Sequence, residues 1–459
     1  MKRVLVIAYY FPPIAASGSM RPLGFCRYLR DYGWQPRVLT TTPQSVYPCI
    51  NVDSSLLDQV PNSIQLDRVP HETPEAVLLR CLEMSRELLH RMFTSKNKSM
   101  VGARLSQAGA PNPFGTYRRL RKIVLEWALS FPDAQCFWLK RAVRRLWNIA
   151  PTEYPDAVFA TAGPWTSLLV GKALARKFGV PFVADFRDPW THNPNRQQFS
   201  AALFERHKRL EKEICKSAVK IIANTDELAA QFRRDYPGCD GKFITITNGF
   251  DDRGWTQAED SLDIGFVTSA TDSATIELSH FGTIYGNRDP FPLMLALDSL
   301  LEEKRICSDQ LRVRLIGDWF VENAKCNILA EKLEKHGLLN RSPTVPHNIC
   351  LEQMASAQVL LVLQPAYPLQ VPGKIYEYIA TGRPIVVIGG EGATASLIDR
   401  CRLGEYCCND TRAIKELLFG IANRQVEIRS PNPTTTKMFH YRNLTQKLAA
   451  LLDSVTAVR

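Results

Sequence analysis

Two charged residues, Lys374 and Glu377, stand three positions apart in the segment VPGKIYEYIATGRPIVVIGG, residues 371–390. The segment predicts a helix of about two turns that begins after Gly373 and is followed by a buried strand, so both charges share one helix face. Helix N-terminal amides and a first-turn lysine can hold an anion, and a carboxylate one turn later can accept two hydrogen bonds from a ribose diol. The segment therefore indicates a phosphate and ribose site, although a simple Lys374–Glu377 ion pair of small net worth would have the same spacing.

Two more loops in the same half of the chain follow predicted strands. In HFGTIYGNRDP, residues 280–290, Gly282 and Gly286 bracket a strand end, and Arg288 can meet a phosphate through two parallel hydrogen bonds. The segment LIGDW places Asp318 directly after another strand. A glycine turn with a solvated arginine is the alternative reading of 280–290, so these loops support the phosphate site without establishing it.

Polar side chains also follow two predicted strands near the N-terminus. The loop YYFPPIAASGSMRP joins the first strand to the first helix, and its Gly18 lets the backbone approach a ligand closely. The loop ADFRDPWTHNP, residues 184–194, concentrates Asp185, Arg187 and Asp188 at the end of an apolar strand. So many polar groups at one strand end fit a site better than a turn. The alternatives are a surface loop at Gly18 and a structural Arg–Asp ion pair in the second loop.

Strand and helix patterns alternate along both halves of the chain. This alternation predicts an α/β protein with two doubly wound domains, in which parallel sheets bind ligands at the carboxyl ends of their strands. A polar stretch from Arg253 to Ala274 marks the boundary. We expect a first domain at 1–255 with a helical basic insertion at about 74–150 and an irregular stretch at 43–70, a second domain at 275–433, and a final helix at 434–459.

The formal net charge of +11 is concentrated in one segment of the chain. Residues 80–145 hold 14 Lys and Arg against 4 Asp and Glu, which is an excess of 14 − 4 = +10. Basic helices that carry aromatics such as Trp127, Trp138 and Trp147 suit an anionic membrane surface. A solvated helix face with its aromatics turned inward is the alternative. No nucleic-acid recognition motif accompanies the charge, so we expect no nucleic acid partner.

Composition and motifs exclude several other classes. The twelve cysteines are scattered without a C-x-x-C pair, which is neither a disulfide framework nor a zinc signature, so we expect a cytoplasmic protein without a metal site. No stretch reaches the roughly 18 apolar residues of a membrane span. The chain lacks both G-x-G-x-x-G and G-x-x-x-x-G-K-[ST], which argues against dehydrogenases and P-loop enzymes.

Taken in order, these segments resemble bacterial family-4 glycosyltransferases of the GT-B fold over nearly the whole chain. The motifs that carry the resemblance are YYFPPIAASGSMRP, GWQPRVLT, DFRDPW, ITITNGFDD, FGTIYGNRDP, LIGDW and VPGKIYEYIATGRPIV. The resemblance implies two Rossmann-like domains that face a cleft, and a last helix that crosses back to the first domain. The second domain would bind a nucleotide-diphosphate sugar as donor, without a further cofactor or metal, and the first would bind the acceptor.

The resemblance also implies roles for individual residues. Glu377 would hold the ribose hydroxyls, and the leaving diphosphate would be stabilised by cations and amides. We assign catalysis to Asp188, Arg288 and Lys374, and donor binding to Gly18, Arg21, Gly282, Asp318, Gly373, Lys374 and Glu377. Family members usually carry a second acid eight positions before Glu377, where this chain has Leu369.

The resemblance therefore implies a retaining, metal-independent, hexosyltransferase-like enzyme, and we expect it to build cell-surface polysaccharide on a lipid-linked or glycan acceptor. Residues 80–145 would place it peripherally on the inner face of the membrane. Two alternatives stay open: a nucleotide-sugar epimerase of the same fold, and a non-catalytic nucleotide- or membrane-binding protein with a decayed site, motivated by Leu369.

Overall fold

Two parallel β-sheets form the framework of the protein in a computed structural model. The structure describes residues 1–46, 50–73, 130–194, 200–251, 275–286 and 288–457. Each sheet is covered by helices on both faces, as the alternating strand and helix patterns predict.

The first sheet has seven parallel strands in the order β3-β2-β1-β4-β5-β6-β7. Its central strands are almost wholly apolar because both faces are buried. The strands are β1 (Lys2–Ile7), β2 (Trp34–Thr41), β3 (Gln65–Val69), β4 (Ala157–Thr161), β5 (Phe182–Phe186), β6 (Lys220–Ala223) and β7 (Phe243–Thr245).

Helices of the first domain begin and end where local sequence signals place them. Ser200 Oγ and Thr225 Oγ1 accept hydrogen bonds from the first-turn amides of α4 and α5, and Gly179 ends α3 in a left-handed conformation. These helices are α1 (Ser17–Tyr28), α2 (Trp138–Trp147), α3 (Thr166–Phe178), α4 (Ala201–Ser217) and α5 (Asp226–Asp235).

The second sheet has six parallel strands in the order β12-β10-β8-β13-β14-β15, and a separate parallel pair joins β9 to β11. The strands are β8 (Ile276–Phe281), β9 (Ile284–Tyr285), β10 (Leu311–Ile316), β11 (Trp319–Phe320), β12 (Leu339–Ser342), β13 (Val359–Gln364), β14 (Ile385–Gly389) and β15 (Gly404–Cys408). The helices are α6 (Phe291–Glu302), α7 (Ala324–Lys335), α8 (His347–Ser356), α9 (Lys374–Thr381), α10 (Ala393–Cys401) and α11 (Thr411–Ala422).

The C-terminal helices return to the first domain. After α12 (Pro433–Lys437), the helix α13 (Tyr441–Thr456) packs its apolar face on α1, where Tyr441 meets Phe25 edge-on. A Cβ at Gly24 would lie 2.4 Å from the Tyr441 ring, so glycine permits this close approach. The last helix therefore packs on the first domain, although the chain before it belongs to the second domain.

Some elements differ from the sequence expectations. The stretch 43–70 is not wholly irregular, because β3 pairs with β2 at the sheet edge. Its sequence QLDRV has two adjacent polar residues, Asp67 and Arg68, which break the polar–apolar alternation of a strand, so only its pairing with β2 reveals it. Four further elements, β12, α10, β15 and α11, are not among those predicted from the sequence. The proposed boundary and most of the basic insertion lie outside the described residues, so the domain limits stay predictions.

Candidate functional site

The carboxyl ends of β8 and β10 meet closely in the second domain. The amide of Gly282 donates to the carbonyl of Ile316 over 2.7 Å. A Cβ at Gly317 would lie 2.5 Å from the carbonyl carbon of Gly282, and both glycines have positive φ values, 145° and 130°. Only glycine fits this backbone, so the two strand ends form a narrow edge beside which a ligand can lie.

Lys374 reaches this edge from the first turn of α9. Its Nζ lies 2.9 Å from Nε2 of His280 and 2.9 Å from the carbonyl oxygen of Phe281. A Cβ at Gly282 would lie 3.0 Å from the same Nζ. Burial lowers the pKa of Lys374 well below its usual value, and the charge of Arg288 lowers it further. The side chain of Lys374 is therefore partly buried, both of these hydrogen-bond partners are neutral, and burial disfavours its charged form.

Arg288 is the second cation of the site. Its Nη1 donates to the carbonyl of Thr283 over 3.4 Å, and its guanidinium lies 5.1 Å from the ring centroid of Tyr285. Within the described parts of the chain, its Nε is buried without a hydrogen-bond partner. Two neighbouring cations with unsatisfied donor capacity form a place where an anion such as a diphosphate can bind.

Glu377 lies one turn after Lys374, and among the described residues its side chain hydrogen-bonds to His347. Its Oε1 is 3.2 Å from Nε2 of His347, and this contact raises the pKa of His347. The carboxylate also lines a small cavity with Met20 and Arg27 of α1. Because the His347 contact is exposed and long, Glu377 remains available to another partner.

Two further residues of the second domain, Gly373 and Asp318, are among those predicted to bind the donor. Gly373 precedes α9, and a Cβ there would meet no atom within 4 Å, so the start of the helix is open. Asp318 is exposed, and its backbone carbonyl accepts from the amide of Ile284 over 2.9 Å. The roles assigned to these residues stay predictions.

Arg21 lies in a different environment from the one we expected. Its side chain is 1% exposed and forms a two-pronged pair with Asp185, with distances of 2.9 and 2.7 Å. Further donors reach the carbonyls of Ile246 and Thr247. Because these bonds occupy its guanidinium, the geometry favours a positioning role, in which Arg21 ties α1 to β5 and β7, over direct contact with a donor.

Gly18 makes room for an arginine whose role the sequence did not specify. A Cβ at Gly18 would lie 3.1 Å from Nη2 of Arg187, and a Cβ at Gly163 would lie 2.4 Å from the same atom. The guanidinium also pairs with Asp188 over 3.3 Å. Gly18 is thus next to Arg187, at the carboxyl edge of the first sheet. The polar crowding of residues 184–194 was the signal for this arginine.

Asp188 contacts the second domain. Its Oδ1 accepts a hydrogen bond of 2.7 Å from Nε2 of Gln370. The adjacent Leu369 packs on the core of the first domain, and its carbonyl accepts from Thr225 Oγ1 over 2.9 Å. The position at which the family usually carries an acid therefore serves as a contact between the domains. The loop that follows β13 thus supplies Gln370 as the hydrogen-bond partner of Asp188, which itself follows β5.

The described part of the basic segment is α2. Trp138 is fully buried, whereas Trp147 is 43% exposed. Phe137, the residue before the helix, is 40% exposed. Four basic residues of the helix are exposed: Lys140, Arg141, Arg144 and Arg145. One tryptophan of the helix thus turns inward and one outward, and the membrane contact stays a prediction. Trp127 lies outside the described residues, and no described helix is long and apolar enough to cross a membrane.

Comparisons with known proteins bear on this arrangement. Residues 105–253 match the family model described as Glycosyltransferase Family 4. The resemblance to family-4 glycosyltransferases is confirmed. No curated protein matches the chain in a sequence search.

Solved structures with the same architecture cover the chain almost completely. Anabaena Alr3699/HepE in complex with UDP and glucose is 15% identical with a TM-score of 0.55, and covers 99% of this chain and 100% of its own. Its complex with UDP-glucose is 16% identical with a TM-score of 0.51, over 100% of this chain and 98% of its own. Sucrose-phosphate synthase from Thermosynechococcus elongatus is 13% identical with a TM-score of 0.57, over 100% of both chains. These similarities establish the GT-B fold of two Rossmann-like domains.

Proposed function

We propose that the protein is a glycosyltransferase that takes its sugar from a nucleotide-diphosphate donor bound by the second domain. The observation that carries the proposal is the ammonium of Lys374 beside Arg288, with neutral partners only, at the carboxyl edge of the second sheet. Among the described residues, no carboxylate lies within ion-pair distance of Lys374, so its charge is free to act on an anion. The HepE structures, which contain UDP or UDP-glucose, support a donor of this kind.

Each assigned residue has a physical task in this proposal. Lys374 and Arg288 balance the charge that develops on the diphosphate as the sugar leaves, which is electrostatic stabilisation of the transition state. Glu377 accepts hydrogen bonds from the ribose hydroxyls, while the open start of α9 at Gly373 offers backbone amides. Gly282 permits the approach of Lys374, and Asp318 borders the nucleotide. The reaction retains the anomeric configuration and uses no metal.

The acceptor occupies the first domain in the same proposal. Asp188 lies at the cleft and is held by Gln370, so it can contact the acceptor or the transferred sugar. The exposed basic residues and the exposed Trp147 of α2 suit an anionic membrane surface. This placement favours a lipid-linked or glycan acceptor of cell-surface polysaccharide synthesis, and a cytoplasmic enzyme attached to the inner face of the membrane.

A panel of nucleotide sugars tests the proposal before any acceptor is known. UDP-glucose, GDP-mannose and dTDP-glucose are each added to the protein while its melting temperature is followed. One of them should raise the melting temperature, because a ligand that binds only the folded state stabilises it. Glu377→Ala should abolish this rise, whereas Glu331→Ala, which removes an exposed carboxylate of the same domain, should preserve it. A panel without any response contradicts the proposal.

A second candidate function is a non-catalytic binding protein, which Leu369 favours because the usual acid is missing there. Incubating the bound donor with membrane lipids and glycans separates the two: release of the nucleoside diphosphate supports transfer, and binding without any release supports the second candidate. An altered sugar that appears in the donor without an acceptor would instead indicate an epimerase of the same fold.

A further inference from the structure

His280 is a fully buried polar residue to which the assigned roles give no task. It is the last but one residue of β8, and its side chain is 0% exposed. Both ring nitrogens have partners: Nδ1 lies 2.9 Å from the carbonyl oxygen of Leu361, and Nε2 lies 2.9 Å from Nζ of Lys374. The ring therefore connects the central strand β13 to the cation of the candidate site.

The partners of the ring determine its tautomer. A carbonyl oxygen only accepts, so Nδ1 must carry the proton that it donates to Leu361. Nε2 then holds a lone pair and accepts a hydrogen bond from Lys374. An imidazolium would have no lone pair for this contact, and burial, together with the charges of Lys374 and Arg288, lowers the pKa of His280 well below its usual value. The ring is therefore neutral.

A neutral acceptor orients an ammonium without cancelling its charge. The ammonium of Lys374 has three N–H donors, of which His280 and the carbonyl of Phe281 receive two. The third donor remains for a ligand. An aspartate or glutamate in place of His280 would hold the lysine equally well, but it would neutralise the charge that an anion needs.

We propose that His280 is a positioning residue of the donor site, whose neutral imidazole holds the ammonium of Lys374 in place for the diphosphate of a nucleotide sugar. The inference rests on the proposed function, because it assigns His280 to the same phosphate contact. His280 itself touches no substrate, and it acts through Lys374.

Two substitutions separate positioning from packing. His280→Asn keeps an amide donor at the position of Nδ1 for Leu361 but is too short to reach Lys374. His280→Gln can present an oxygen near the position of Nε2. With UDP-glucose as the probe, or whichever nucleotide sugar of the panel binds the wild-type protein, we expect His280→Asn to weaken binding about tenfold or more. We expect His280→Gln to stay within about threefold of wild type.

The pH profile of binding gives a readout that a structural role would not move. A hydrogen-bond acceptor favours the charged form of lysine, so its loss in His280→Asn should shift the fall in affinity to lower pH. The other groups that face the ammonium, Arg288, Cys350 and Glu377, are unchanged in this variant. His336→Asn, which alters an exposed histidine of the same domain, is the matched control and should bind and titrate as wild type.

A double-mutant cycle covers the case in which one variant is unstable. In a Lys374→Met background, His280→Asn should have no further effect on the dissociation constant, because the group it positions is gone. Wild-type affinity and an unshifted pH profile in His280→Asn would overturn the inference, as would equal losses in the Asn and Gln variants. If the wild-type protein binds no nucleotide sugar, the proposed function and this inference fail together.

Discussion

Nζ of Lys374 donates a hydrogen bond of 2.9 Å to Nε2 of His280, and so joins the start of α9 to the end of β8. The two residues are 94 positions apart in the sequence. The same Nζ lies over Gly282, which has no side chain that would displace it. A lysine that is buried by a neutral ring, a carbonyl and a glycine keeps its charge only at an energetic cost. An anionic ligand offsets that cost.

Donor affinity should therefore fall as the pH rises. The pKa of Lys374 is lowered in the free protein by burial first and by Arg288 second, and a bound diphosphate would raise it again. Binding is then strongest where Lys374 is already protonated, and it is lost as the pH rises through the pKa of the bound state. Isothermal titration with UDP-glucose measures this near neutral pH, because neither its diphosphate nor its uracil ring changes charge there. An affinity that rises or stays flat between about pH 6 and 8, below the usual lysine pKa, would contradict the prediction.

Gly282→Ala should reduce donor affinity several-fold and destabilise the second domain by about 1–3 kcal/mol. The new Cβ would lie 3.0 Å from Nζ of Lys374, at a φ of 130° that L-residues rarely adopt. Gly33→Ala is the matched control, since Gly33 has a φ of 82° but open space around it. Titration calorimetry and urea unfolding report the two effects. Equal donor affinity in the two variants would show that donor binding does not depend on the space that Gly282 leaves for Lys374.

Gln370→Glu should slow sugar transfer roughly tenfold while leaving donor affinity nearly unchanged. The substitution replaces the 2.7 Å hydrogen bond to Asp188 with two facing carboxylates, and this contact joins the domains. The cations proposed to bind the donor, Lys374 and Arg288, are not part of this contact. Arg400→Gln removes a different contact between the domains, an exposed pair with Asp226, and should change turnover less than twofold. Equal turnover in the two variants would show that Asp188 needs no support from Gln370.

The first domain should lose stability on mild acidification through His71. This buried histidine contacts Tyr9 and Thr41, and burial lowers its pKa from 6.5 to about 4. Between these two values the unfolded chain binds more protons than the folded one, so stability falls as the pH drops, by up to about 3 kcal/mol. His71→Asn should lose less urea resistance than wild type between pH 7 and about 4, whereas His336→Asn should behave as wild type. Parallel losses in all three proteins would contradict the assignment.

The sequence predicted those parts of the site that depend on local pattern. The helix at 374–381 is recognisable because Gly373 and Gly382 bound an apolar periodicity, and strand ends are recognisable where apolar runs stop. The parallel sheets follow from the alternation of such segments. Lys374, Arg288 and Gly282 were therefore found together, since the carboxyl ends of parallel strands share one edge.

Other features depend on contacts between distant segments. His280 is the fifth residue of β8, and nothing near it in sequence shows that its ring accepts a hydrogen bond from Lys374. Arg21 is among the residues assigned to donor binding, whereas in the structure its guanidinium pairs with Asp185, 164 positions away. Leu369 was noted as a missing acid, whereas its packing on the first domain arises from tertiary structure. Side-chain partners of this kind follow from the assembled fold and not from spacing.

The central claim is that Lys374 binds the diphosphate of a nucleotide sugar. Isothermal titration of UDP-glucose, GDP-mannose and dTDP-glucose against the wild-type protein, Lys374→Met and Lys325→Met tests it most directly. Lys325 is an exposed lysine and the second residue of α7, whereas Lys374 is the first residue of α9, so each variant loses one lysine from the first turn of a helix. The account predicts that one nucleotide sugar binds wild type and Lys325→Met alike and binds Lys374→Met at least about tenfold more weakly. Equal affinity for all three proteins, or no binding to any of them, would contradict it.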